Sequence, residues 1–303
     1  MKIFITGIRG FIPSHLANHF AKDKRNKVYG IDNNLHPSSN PLAKNISVYY
    51  GDVRYAEDVD KYVKEADIVY HLAAQINVDK SISHPRETLD INFGGTQNVL
   101  EACRRYRKTM VFASTSEIYG GHDENITESS PTYAQSPYAV SKLAADKLCG
   151  NYHELYGVET YRVRCFNTYG PHQSEDEYGA VIPIFTRNIL ANRAPMIFGD
   201  GTQKRDFINI TDVVRAYEMI PKIKELRGEP VNLATGKSIS VRQLADMIIK
   251  IAGKRMVPIF GMPRPGEVHK LQGNIKLLKS YGFTPQVQFE EGLKEYIKWY
   301  QQK

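Results

Sequence analysis

The first half of the chain alternates between short apolar runs and amphipathic stretches, and this alternation limits the possible fold more than any other feature. The apolar runs are rich in Val, Ile, Tyr and Phe, as buried β-strands are, and they occupy residues 2–7, 27–32, 46–52, 66–74, 108–115 and 159–167. The segments between them repeat apolar residues at the spacing of an α-helix. Regular strand–helix alternation predicts an α/β protein with a doubly wound, parallel Rossmann sheet.

The pattern changes after Gly170 and Pro171, and this change predicts a second lobe. Beyond it, short apolar pieces are separated by Gly, Pro and charged turns, and amphipathic helices are predicted over residues 181–193, 241–253 and 289–302. We therefore predict a Rossmann domain over residues 1–170 and a smaller C-terminal α/β lobe over residues 171–303. Some segments of the second part are expected to return to the first domain.

Composition and charge exclude several classes of protein. The 303 residues are 42% hydrophobic, as is typical of globular proteins. The net charge of +7 is spread along the chain, without a dense Lys/Arg run interleaved with aromatic residues. This distribution argues against a nucleic-acid partner, although a positive field would favour an anionic small substrate. No signal sequence and no apolar run long enough for a membrane span is visible, so we expect a cytoplasmic protein.

The cysteines give no sign of a metal site. Cys103, Cys149 and Cys165 lie far apart in the chain and form no Cys-x-x-Cys pair. This spacing predicts neither a zinc site nor a disulfide framework, and it fits a reducing compartment.

The segment TGIRGFIP follows the first predicted strand and opens a helix. Gly7 and Gly10 form a Gly-x-x-Gly turn whose backbone N–H groups can approach a pyrophosphate, and the helix N-terminus favours its negative charge. Asp32 ends the second strand, where its carboxylate can bind both ribose hydroxyls of an adenosine; a 2′-phosphate would meet like charge, which favours NAD over NADP. Pro13 stands where a third glycine is usual, and the first turn of a helix tolerates it.

The segment SPYAVSK places Tyr138 and Lys142 four residues apart, and therefore on one face of a predicted helix. A phenol with a pKa of about 10 is a poor base, but a neighbouring ammonium group and a positive nicotinamide ring favour the phenolate. Tyr138 could then take a proton from a sugar hydroxyl while hydride leaves the same carbon for NAD. This spacing is common by chance, and it gains weight from the glycine turn and from the hydroxyl residues 114–116.

Together these motifs resemble those of the extended short-chain dehydrogenase/reductases, and within them the NAD-dependent NDP-sugar epimerase/dehydratase family. The similarity extends over essentially the whole chain. TGIRGFIPSHL resembles the family's nucleotide loop apart from Pro13, HLAAQ (71–75) resembles the fourth-strand segment along the cofactor, and YAVSK resembles the Tyr/Lys pair. FNTYGP (166–171), GDGTQKRDF (199–207) and PRPGE (263–267) resemble the stretches that hold the substrate diphosphate.

The resemblance implies roles for the residues at matching positions. The expected catalytic residues are Thr115, Ser116, Glu117, Tyr138 and Lys142. The expected cofactor-binding residues are Gly7, Arg9, Gly10, Phe11, Ile12, Asp32, Asn33, Asp52, Val53, Leu72, Ala73, Ala74, Tyr138 and Lys142. The expected substrate-binding residues are Asn167, Val181, Phe198, Arg205 and Arg264, of which Asn167 and the two arginines would contact the diphosphate. A homodimer paired through helices near 90–105 and 138–156 is also implied.

Glu117, in STSEIYG, bears on which reaction follows. By the resemblance, every member first oxidises the sugar at C4 to a ketone with NAD and the tyrosine. A 4-epimerase then only returns the hydride to the other face, whereas a 4,6-dehydratase must remove the C5 proton, a task suited to a carboxylate base. STSEIYG is similar to the dehydratase and decarboxylase versions, while YGAVIPIFTRNIL and RDFINITDVVRA are more similar to epimerases. We predict 4,6-dehydration, with NDP-hexose 4-epimerisation as the alternative and NDP-glucuronate decarboxylation less favoured.

A hypothesis of another class is a dinucleotide-binding sensor without catalysis. Such proteins usually lack the Tyr/Lys pair, which this chain has. His71 and His172 have no partner in any motif and are expected to be structural. The nucleotide base and the sugar are not indicated by the sequence.

Overall fold

The computed structural model of the chain describes residues 1–35, 37–122, 125–174, 180–263 and 268–303. These residues divide into two units, each made of several segments of sequence. The first comprises Met1–Ile118, Ala134–Cys165 and Val214–Val231, and the second comprises Tyr119–Tyr133, Phe166–Val213 and Asn232–Lys303. Close to the boundary predicted at residue 170, the chain crosses from the first unit to the second between Cys165 and Phe166.

A seven-stranded sheet is the central element of the first unit. Its strands are β1 (Lys2–Thr6), β2 (Lys27–Asp32), β3 (Ser47–Tyr50), β4 (Ile68–His71), β5 (Thr109–Thr115), β6 (Thr160–Cys165) and β10 (Pro230–Leu233). They lie in the order β10-β6-β5-β4-β1-β2-β3, and the pairs from β3 to β6 are parallel. The prediction of a doubly wound Rossmann sheet is confirmed. The strand order reverses between β1 and β4, which is the switch point where ligands bind in such sheets.

Six helices accompany these strands in the first unit. They are α1 (Phe11–Phe20), α2 (Ala56–Glu65), α3 (Val78–Ser83), α4 (Pro85–Leu89), α5 (Gly95–Tyr106) and α6 (Pro137–Tyr156). The core between sheet and helices is made by apolar side chains from both layers, such as Phe4, Val69, Met110, Phe112, Val99, Leu100, Ala145 and Cys149. Burying one large apolar side chain contributes about 1.5–3 kcal/mol, so this interface fixes α6 on the sheet.

The helical pattern predicted over residues 87–105 is interrupted in the structure. Asp90–Gly94 forms a π-helical turn between α4 and α5. Asn92, in the middle of this turn, accepts a hydrogen bond from Gln75 N (2.8 Å) and donates to Gln75 O and Ser141 Oγ (2.9 Å each). These buried bonds, made to distant parts of the chain, account for the extra residue in the turn.

The second unit contains two small sheets and the helices that cover them. Strand β9 (Lys204–Asn209) pairs with β7 (Asn167–Tyr169), β11 (Ser238–Ser240) and β13 (Lys270–Leu271), and β8 (Met196–Phe198) pairs with β12 (Ile259–Gly261). The helices are α7 (Val181–Leu190), α9 (Val241–Ile251), α10 (Lys276–Ser280) and α11 (Phe289–Gln301). Its core includes Ile182, Phe185, Leu244, Ile248, Leu293 and Tyr296.

Helix α8 (Ile210–Met219) contains residues of both units, because the chain re-enters the first unit at Val214. Across the described ranges, none of the helices combines the length and the hydropathy that crossing a bilayer requires.

Candidate active site

The loop after β1 has the backbone shape of a dinucleotide-binding turn. Gly7 has a φ of +66°, and a Cβ at this position would lie 2.9 Å from the Cα of Ala73, so a side chain cannot be accommodated. Gly10 N donates to Gly7 O (2.8 Å), and Gly10 then serves as the N-cap of α1. The backbone N–H groups of Phe11 and Ile12, in the first turn, have no carbonyl partner within the helix. These free N–H groups and the helix dipole make the N-terminus of α1 partly positive, so a phosphate can bind there.

Pro13 lies buried in this same first turn. It has no N–H to contribute, so the helix end presents one donor fewer than a glycine-containing loop would. The turn keeps its shape nevertheless, since Ser14 N donates to Gly10 O (3.0 Å) in the usual helical manner. Pro13 therefore changes the number of donors and leaves the course of the backbone intact.

Asp32 ends β2 and faces the glycine loop. Its Oδ2 accepts a hydrogen bond from Arg9 N (2.9 Å), and its Oδ1 accepts one from Asn34 N (2.7 Å). Each carboxylate oxygen has a second lone pair that can accept a further hydrogen bond. The structure thus places a nearly buried carboxylate next to the loop, with the capacity to bind vicinal hydroxyls.

Asn33 and Asp52 lie side by side after β2 and β3. Asn33 Nδ2 donates to Asp52 Oδ2 (3.2 Å), and Asp52 forms a salt bridge with Arg54 (2.8 Å). Burial alone would raise the pKa of Asp52, but the bonds from Arg54 and Asn33 outweigh burial and hold this pKa below its usual value. Val53, the next residue, is buried in the core of the first unit.

The HLAAQ segment is fixed to the end of β1. Leu72 N and Ala73 N both donate to Thr6 Oγ1, at 3.2 and 3.1 Å. Ala73 is also the residue nearest to the position that a Cβ on Gly7 would occupy. Leu72, Ala73 and Ala74 are only partly buried, so the chain beside the switch point between β1 and β4 is partly accessible to a ligand.

His71 is buried between two threonines and is held in one neutral tautomer. Thr96 Oγ1 donates to Asn92 O (2.6 Å), so it must accept at 2.9 Å from His71 Nε2, and Nδ1 is left to accept from Thr6 Oγ1 (2.8 Å). Burial, with a smaller effect of the charge on Lys142, lowers the pKa of His71 to about 3. The imidazole is therefore uncharged throughout the physiological range.

Tyr138 lies in the first turn of α6, at the carboxyl end of β5. Ser136 caps this helix, because its side chain accepts a hydrogen bond from Ala139 N (3.1 Å). The side chain of Thr115 lies near the phenol of Tyr138. Burial is the main reason that the pKa of Tyr138 is raised above its usual value, and the charge of Glu117 raises it further, while the side chain of Thr115 acts in the opposite direction.

Lys142 lies one turn later on α6, and its charged side chain is buried. Its Nζ lies 4.2 Å from the centre of the Phe112 ring. Burial lowers the pKa of Lys142 to about 8, although Cys149 and Asp146 act to raise it. The group is thus a cation at neutral pH that loses its proton more readily than an exposed lysine does.

Thr115, Ser116 and Glu117 form the transition from β5 into a short 3-10 turn, Ser116–Tyr119. Glu117 N donates to Thr115 Oγ1 (3.2 Å), which orients the carboxylate-bearing residue directly after the strand. Ser116 is buried and Glu117 is half-buried. The structure therefore brings all five predicted catalytic residues together at the end of β5 and the start of α6.

The predicted substrate-binding residues belong to the second unit. Asn167 begins β7 and is paired in register with Phe207 of β9, two residues from Arg205. The buried Oδ1 atom of Asn167 has no hydrogen-bond partner among the described residues. Val181 begins α7 and Phe198 ends β8 with its ring exposed. Arg264 lies outside the described residues.

Sequence reasoning missed two features around Tyr138 and Lys142. Cys165 of β6 pairs in register with Thr115 of β5, next to the predicted catalytic residues. Asp146 and two buried arginines of β6 lie below Lys142. The available signal was the spacing of four residues from Lys142 to Asp146 and the alternation of arginines in YRVRC. In the part of the chain that the structure describes, no three His, Cys, Asp or Glu side chains are grouped as a metal site.

Comparisons with known proteins agree with this geometry. The family model described as GDP-mannose 4,6 dehydratase matches residues 4–296. A protein of Methanocaldococcus jannaschii, provisionally named UDP-glucose 4-epimerase, is 36% identical over 98% of this chain and 97% of its own length.

Two solved structures superpose on the whole chain. The UDP-glucose 4-epimerase of Thermotoga maritima, solved with UDP-glucose, has a TM-score of 0.95 at 29% identity, over 100% of this chain and 99% of its own. The dTDP-glucose 4,6-dehydratase DesIV of Streptomyces venezuelae, solved with NAD, has a TM-score of 0.92 at 27% identity, over 100% and 98%. The predicted family is confirmed: the chain belongs to the extended short-chain dehydrogenase/reductase family of NDP-sugar epimerases and dehydratases.

Proposed function

We propose that this protein binds NAD and oxidises a nucleotide-diphosphate sugar transiently at C4, and that the reaction then proceeds as a 4,6-dehydration. One observation carries the choice of reaction. The carboxylate of Glu117 lies close enough to Tyr138 to disfavour its ionisation, at the carboxyl end of β5 where a reacting sugar would bind. A 4-epimerase has no use for a carboxylate there, whereas a dehydratase needs a base for the C5 proton.

The residues around the switch point fit a dinucleotide. The loop at Gly7 leaves a space that a Cβ would close, the first turn of α1 supplies N–H donors for the pyrophosphate, and Asp32 supplies acceptors for the ribose hydroxyls. The charge of Asp32 would repel a 2′-phosphate, which favours NAD over NADP. DesIV, the solved dehydratase relative, holds NAD. When bound, NAD supplies a hydride acceptor at C4 that later returns the hydride.

Tyr138 is the base for the C4 hydroxyl. Its phenol lies near the hydroxyl of Thr115, and the sugar hydroxyl would bind between these two groups. The cation of Lys142, one turn away on the same helix face, favours the phenolate, and so does the position of Tyr138 in the first turn of α6. Burial of both groups excludes water, so that their mutual interaction is weakly screened.

Glu117 acts on the sugar after C4 has become a ketone. The carbonyl acidifies the neighbouring C5 proton, which Glu117 removes and passes to the departing C6 hydroxyl, so that water is lost and a C5=C6 double bond forms. This double bond then takes up the hydride at C6 and a proton at C5, which leaves the ketone at C4. Ser116, buried beside Glu117, can donate a hydrogen bond toward the departing hydroxyl.

Residues of the second unit bind the remainder of the substrate. Asn167 presents a buried Oδ1 atom that has no partner within the described ranges, which is the state expected of a group that awaits a ligand. Arg205 supplies a planar, permanently charged phosphate-binding group. We assign Phe198, with its exposed ring, and Val181 to the nucleoside, and Arg264 to the diphosphate.

The second candidate is NDP-hexose 4-epimerisation. It is favoured by the 36% identity to the M. jannaschii relative and by the superposition on the T. maritima epimerase. In that reaction the ketone rotates and Tyr138 returns the proton to the opposite face. Glu117 would then take no part in proton transfer.

The test is to incubate the purified protein and NAD with a panel of UDP-, GDP-, dTDP- and CDP-sugars. Products are followed by mass spectrometry and NMR. We expect a product lighter by one water, with a ketone or its hydrate at C4, and we expect Glu117→Gln to abolish it. Glu154→Gln, an exposed carboxylate on α6, is the matched control and should leave the yield unchanged.

Other outcomes of the same panel would contradict the proposal in different ways. A product of unchanged mass with an inverted C4 proton pattern, still formed by Glu117→Gln, would identify an epimerase. A product lighter by carbon dioxide from an NDP-glucuronate would identify a decarboxylase. Tight NAD binding with no conversion of any sugar would favour a non-catalytic sensor.

The protein is further proposed to form a homodimer. Helix α6 carries the exposed apolar side chains Val140, Leu155 and Tyr156. A partner surface that covers them would remove this apolar area from water. Sedimentation velocity should give the mass of two chains, and Leu155→Glu should shift the population to monomer; a monomer at all concentrations would exclude the dimer.

A further inference from the structure

Asp206 is a buried charged residue of the second unit that the proposed mechanism does not use. It lies in β9, directly after Arg205, and it is fully buried. Because side chains alternate between the two faces of a strand, Asp206 and Arg205 project to opposite faces of β9. A buried carboxylate is costly unless its oxygen atoms are hydrogen-bonded. The hydrogen bonds of Asp206 therefore indicate what it contributes.

Four hydrogen bonds connect Asp206 to the segments that flank β9. Its Oδ1 accepts from Thr235 N (2.9 Å) and Thr235 Oγ1 (2.6 Å). Its Oδ2 accepts from Gly236 N (2.9 Å) and Gly273 N (3.3 Å). Thr235 and Gly236 precede β11, and Gly273 follows β13. The carboxylate thus connects β9 to the start of one neighbouring strand and to the end of the other.

Strands β11 and β13 have three and two residues, so their backbone pairing with β9 contributes few hydrogen bonds. Arg205 lies between them, in register with Ile239 of β11 and with Leu271 of β13. Its guanidinium is also hydrogen-bonded to the backbone of β9, since Nη1 donates to Lys204 O (3.0 Å). The bonds of Asp206 therefore stabilise the short stretch of backbone from which Arg205 projects.

Gln272 joins the same two flanking segments directly. Its Nε2 donates to Gly236 O (2.9 Å), and its Oε1 accepts from Ser238 Oγ (2.7 Å). The turn before β11 and the end of β13 are thus bonded to each other as well as to Asp206. A change at Asp206 is expected to affect both segments together.

The donors explain why a carboxylate is needed at this position. Both oxygen atoms of Asp206 face backbone N–H groups, from Thr235 on one side and from Gly236 and Gly273 on the other. A carboxylate accepts at both oxygen atoms, whereas an amide presents an NH₂ group in place of one of them. Asp206→Asn therefore changes the size of the side chain very little but sets N–H against N–H at one of the two segments.

We propose that Asp206 is a positioning residue for substrate binding, which holds the Arg205 guanidinium in place for the diphosphate by tying the turn before β11 and the end of β13 to β9. This inference rests on the proposed function, in which Arg205 binds phosphate. Asp206 acts through Arg205 and not through contact with the substrate, because it is buried on the other face of the strand.

Binding of nucleoside diphosphates, which requires no turnover, tests this role. Isothermal titration calorimetry with UDP, GDP, dTDP and CDP, in the presence of NAD, first identifies the diphosphate that the wild type binds most tightly. For that probe, Arg205→Gln should raise Kd by about 10- to 100-fold, and Asp206→Asn by about 10-fold. Loss of folded protein alone would lower the number of binding sites at an unchanged Kd, so the two quantities separate positioning from stability.

The double variant tests whether Asp206 acts through Arg205. If it does, adding Asp206→Asn to Arg205→Gln should change Kd by less than about 2-fold, because the group that Asp206 positions is already absent. Independent effects that multiply in the double variant would overturn the proposal, as would an unchanged Kd in Asp206→Asn alone. Glu291→Gln, at an exposed carboxylate on α11, is the control and should leave Kd unchanged.

A second pair of variants keeps the test decisive if Asp206→Asn does not fold. Thr235→Val removes the hydroxyl that donates to Asp206 and keeps the shape of the side chain, whereas Thr235→Ser retains the hydroxyl. Thr235→Val should raise Kd by about 3- to 10-fold, and Thr235→Ser should restore it to within about 2-fold of the wild type. A rise of equal size in both variants would contradict the proposal.

The outcomes separate this inference from the proposed function. If Arg205→Gln weakens binding and Asp206→Asn does not, the role of Asp206 fails and the assignment of Arg205 to the diphosphate stands. If Arg205→Gln leaves Kd unchanged, or if the wild type binds none of the four diphosphates, the assignment of Arg205 fails and the role of Asp206 fails with it.

Discussion

Each unit of this protein buries an aspartate beside residues to which we assign a role in the proposed function, and the two carboxylates are held in different ways. Asp146 of the first unit is bonded to two guanidinium groups, which hold its pKa below the usual value although burial acts to raise it. Asp206 of the second unit accepts hydrogen bonds from Thr235 N, Thr235 Oγ1, Gly236 N and Gly273 N, at 2.6 to 3.3 Å. Burial raises the pKa of Asp206 to about 6 despite these bonds.

The difference shows how neutral hydrogen-bond donors and charged groups each affect the pKa of a buried carboxylate. Four neutral donors hold Asp206 in one orientation and fix the turns around β9, but they do not fully offset the loss of water. Two cations more than offset this loss for Asp146. The buried carboxylate near the proposed chemistry is thus stabilised by charged groups. The one in the region that we assign to substrate binding is held by neutral hydrogen-bond donors, which fix its orientation.

The largest expected effect separates chemistry from binding. Tyr138→Phe removes the proton acceptor and should lower kcat by about 10³-fold with little change in KM. Arg205→Gln removes a charged hydrogen bond to phosphate and should raise KM by about 10- to 100-fold with kcat nearly unchanged. Steady-state kinetics on the substrate identified by the sugar panel measure both. A reversed pattern would mean that the two regions do not divide the work in this way.

The next effect concerns the stability of the first unit. Asp146→Asn removes a fully buried carboxylate that pairs with two arginines and should reduce the free energy of unfolding at neutral pH by about 3–5 kcal/mol. Denaturant unfolding followed by circular dichroism measures this change. Because the pKa of Asp146 is lowered in the folded state, its stabilisation is present above pH ~4 and is lost as pH falls. A variant as stable as the wild type would show that the arginines are otherwise compensated.

The carboxylate of the second unit should have the opposite dependence on pH. Its folded pKa of about 6 exceeds the unfolded value of 3.8, so the folded state is favoured most below pH ~4, and this advantage is lost as pH rises through 6. The change amounts to about 3 kcal/mol. Thermal unfolding of wild type and Asp206→Asn between pH 4 and 7 tests it, since the variant lacks this slope. Parallel pH curves for the two proteins would contradict the account of Asp206.

The smallest effect compares two helix caps. Ser136 caps α6, and Ser240 caps α9 with Gln243 in a capping box. Replacement of either serine by Ala should cost about 1 kcal/mol of unfolding free energy. Only Ser136→Ala should also lower kcat, because it loosens the turn that carries Tyr138. Equal kinetic effects of the two variants would show that the cap of α6 does not orient the phenol.

The layered fold was predictable because it follows from local pattern. The periodicity of apolar residues distinguishes β1 to β6 from the helices between them, and a parallel sheet allows few arrangements of such units. The glycine loop was predictable for a similar reason, since Gly7 must adopt a positive φ. The pairing of Tyr138 with Lys142 was predictable because residues four apart lie on the same face of a helix, whatever the tertiary structure.

Other features depend on contacts between distant segments, and local pattern was not sufficient to predict them. The π-helical turn at Asp90–Gly94 forms around the bonds of Asn92 to Gln75 and Ser141, which lie 17 and 49 residues away in sequence. His71 has no motif partner, yet its neighbours Thr6 and Thr96 fix its tautomer. The partners of Asp146 could not be read from spacing, since any arginine of β6 might as well have faced solvent.

By itself, the sequence determined the doubly wound sheet, the position of the nucleotide loop and the helix face that carries the catalytic pair. Each of these follows from a short-range rule: the period of a strand or a helix, or the conformational freedom of glycine. Only the tertiary structure decided which charges are buried together, and therefore the charge state that Lys142, Asp146 and Asp206 favour. Electrostatic energies in a protein interior depend on distance and desolvation, and both are set by packing rather than by position along the chain.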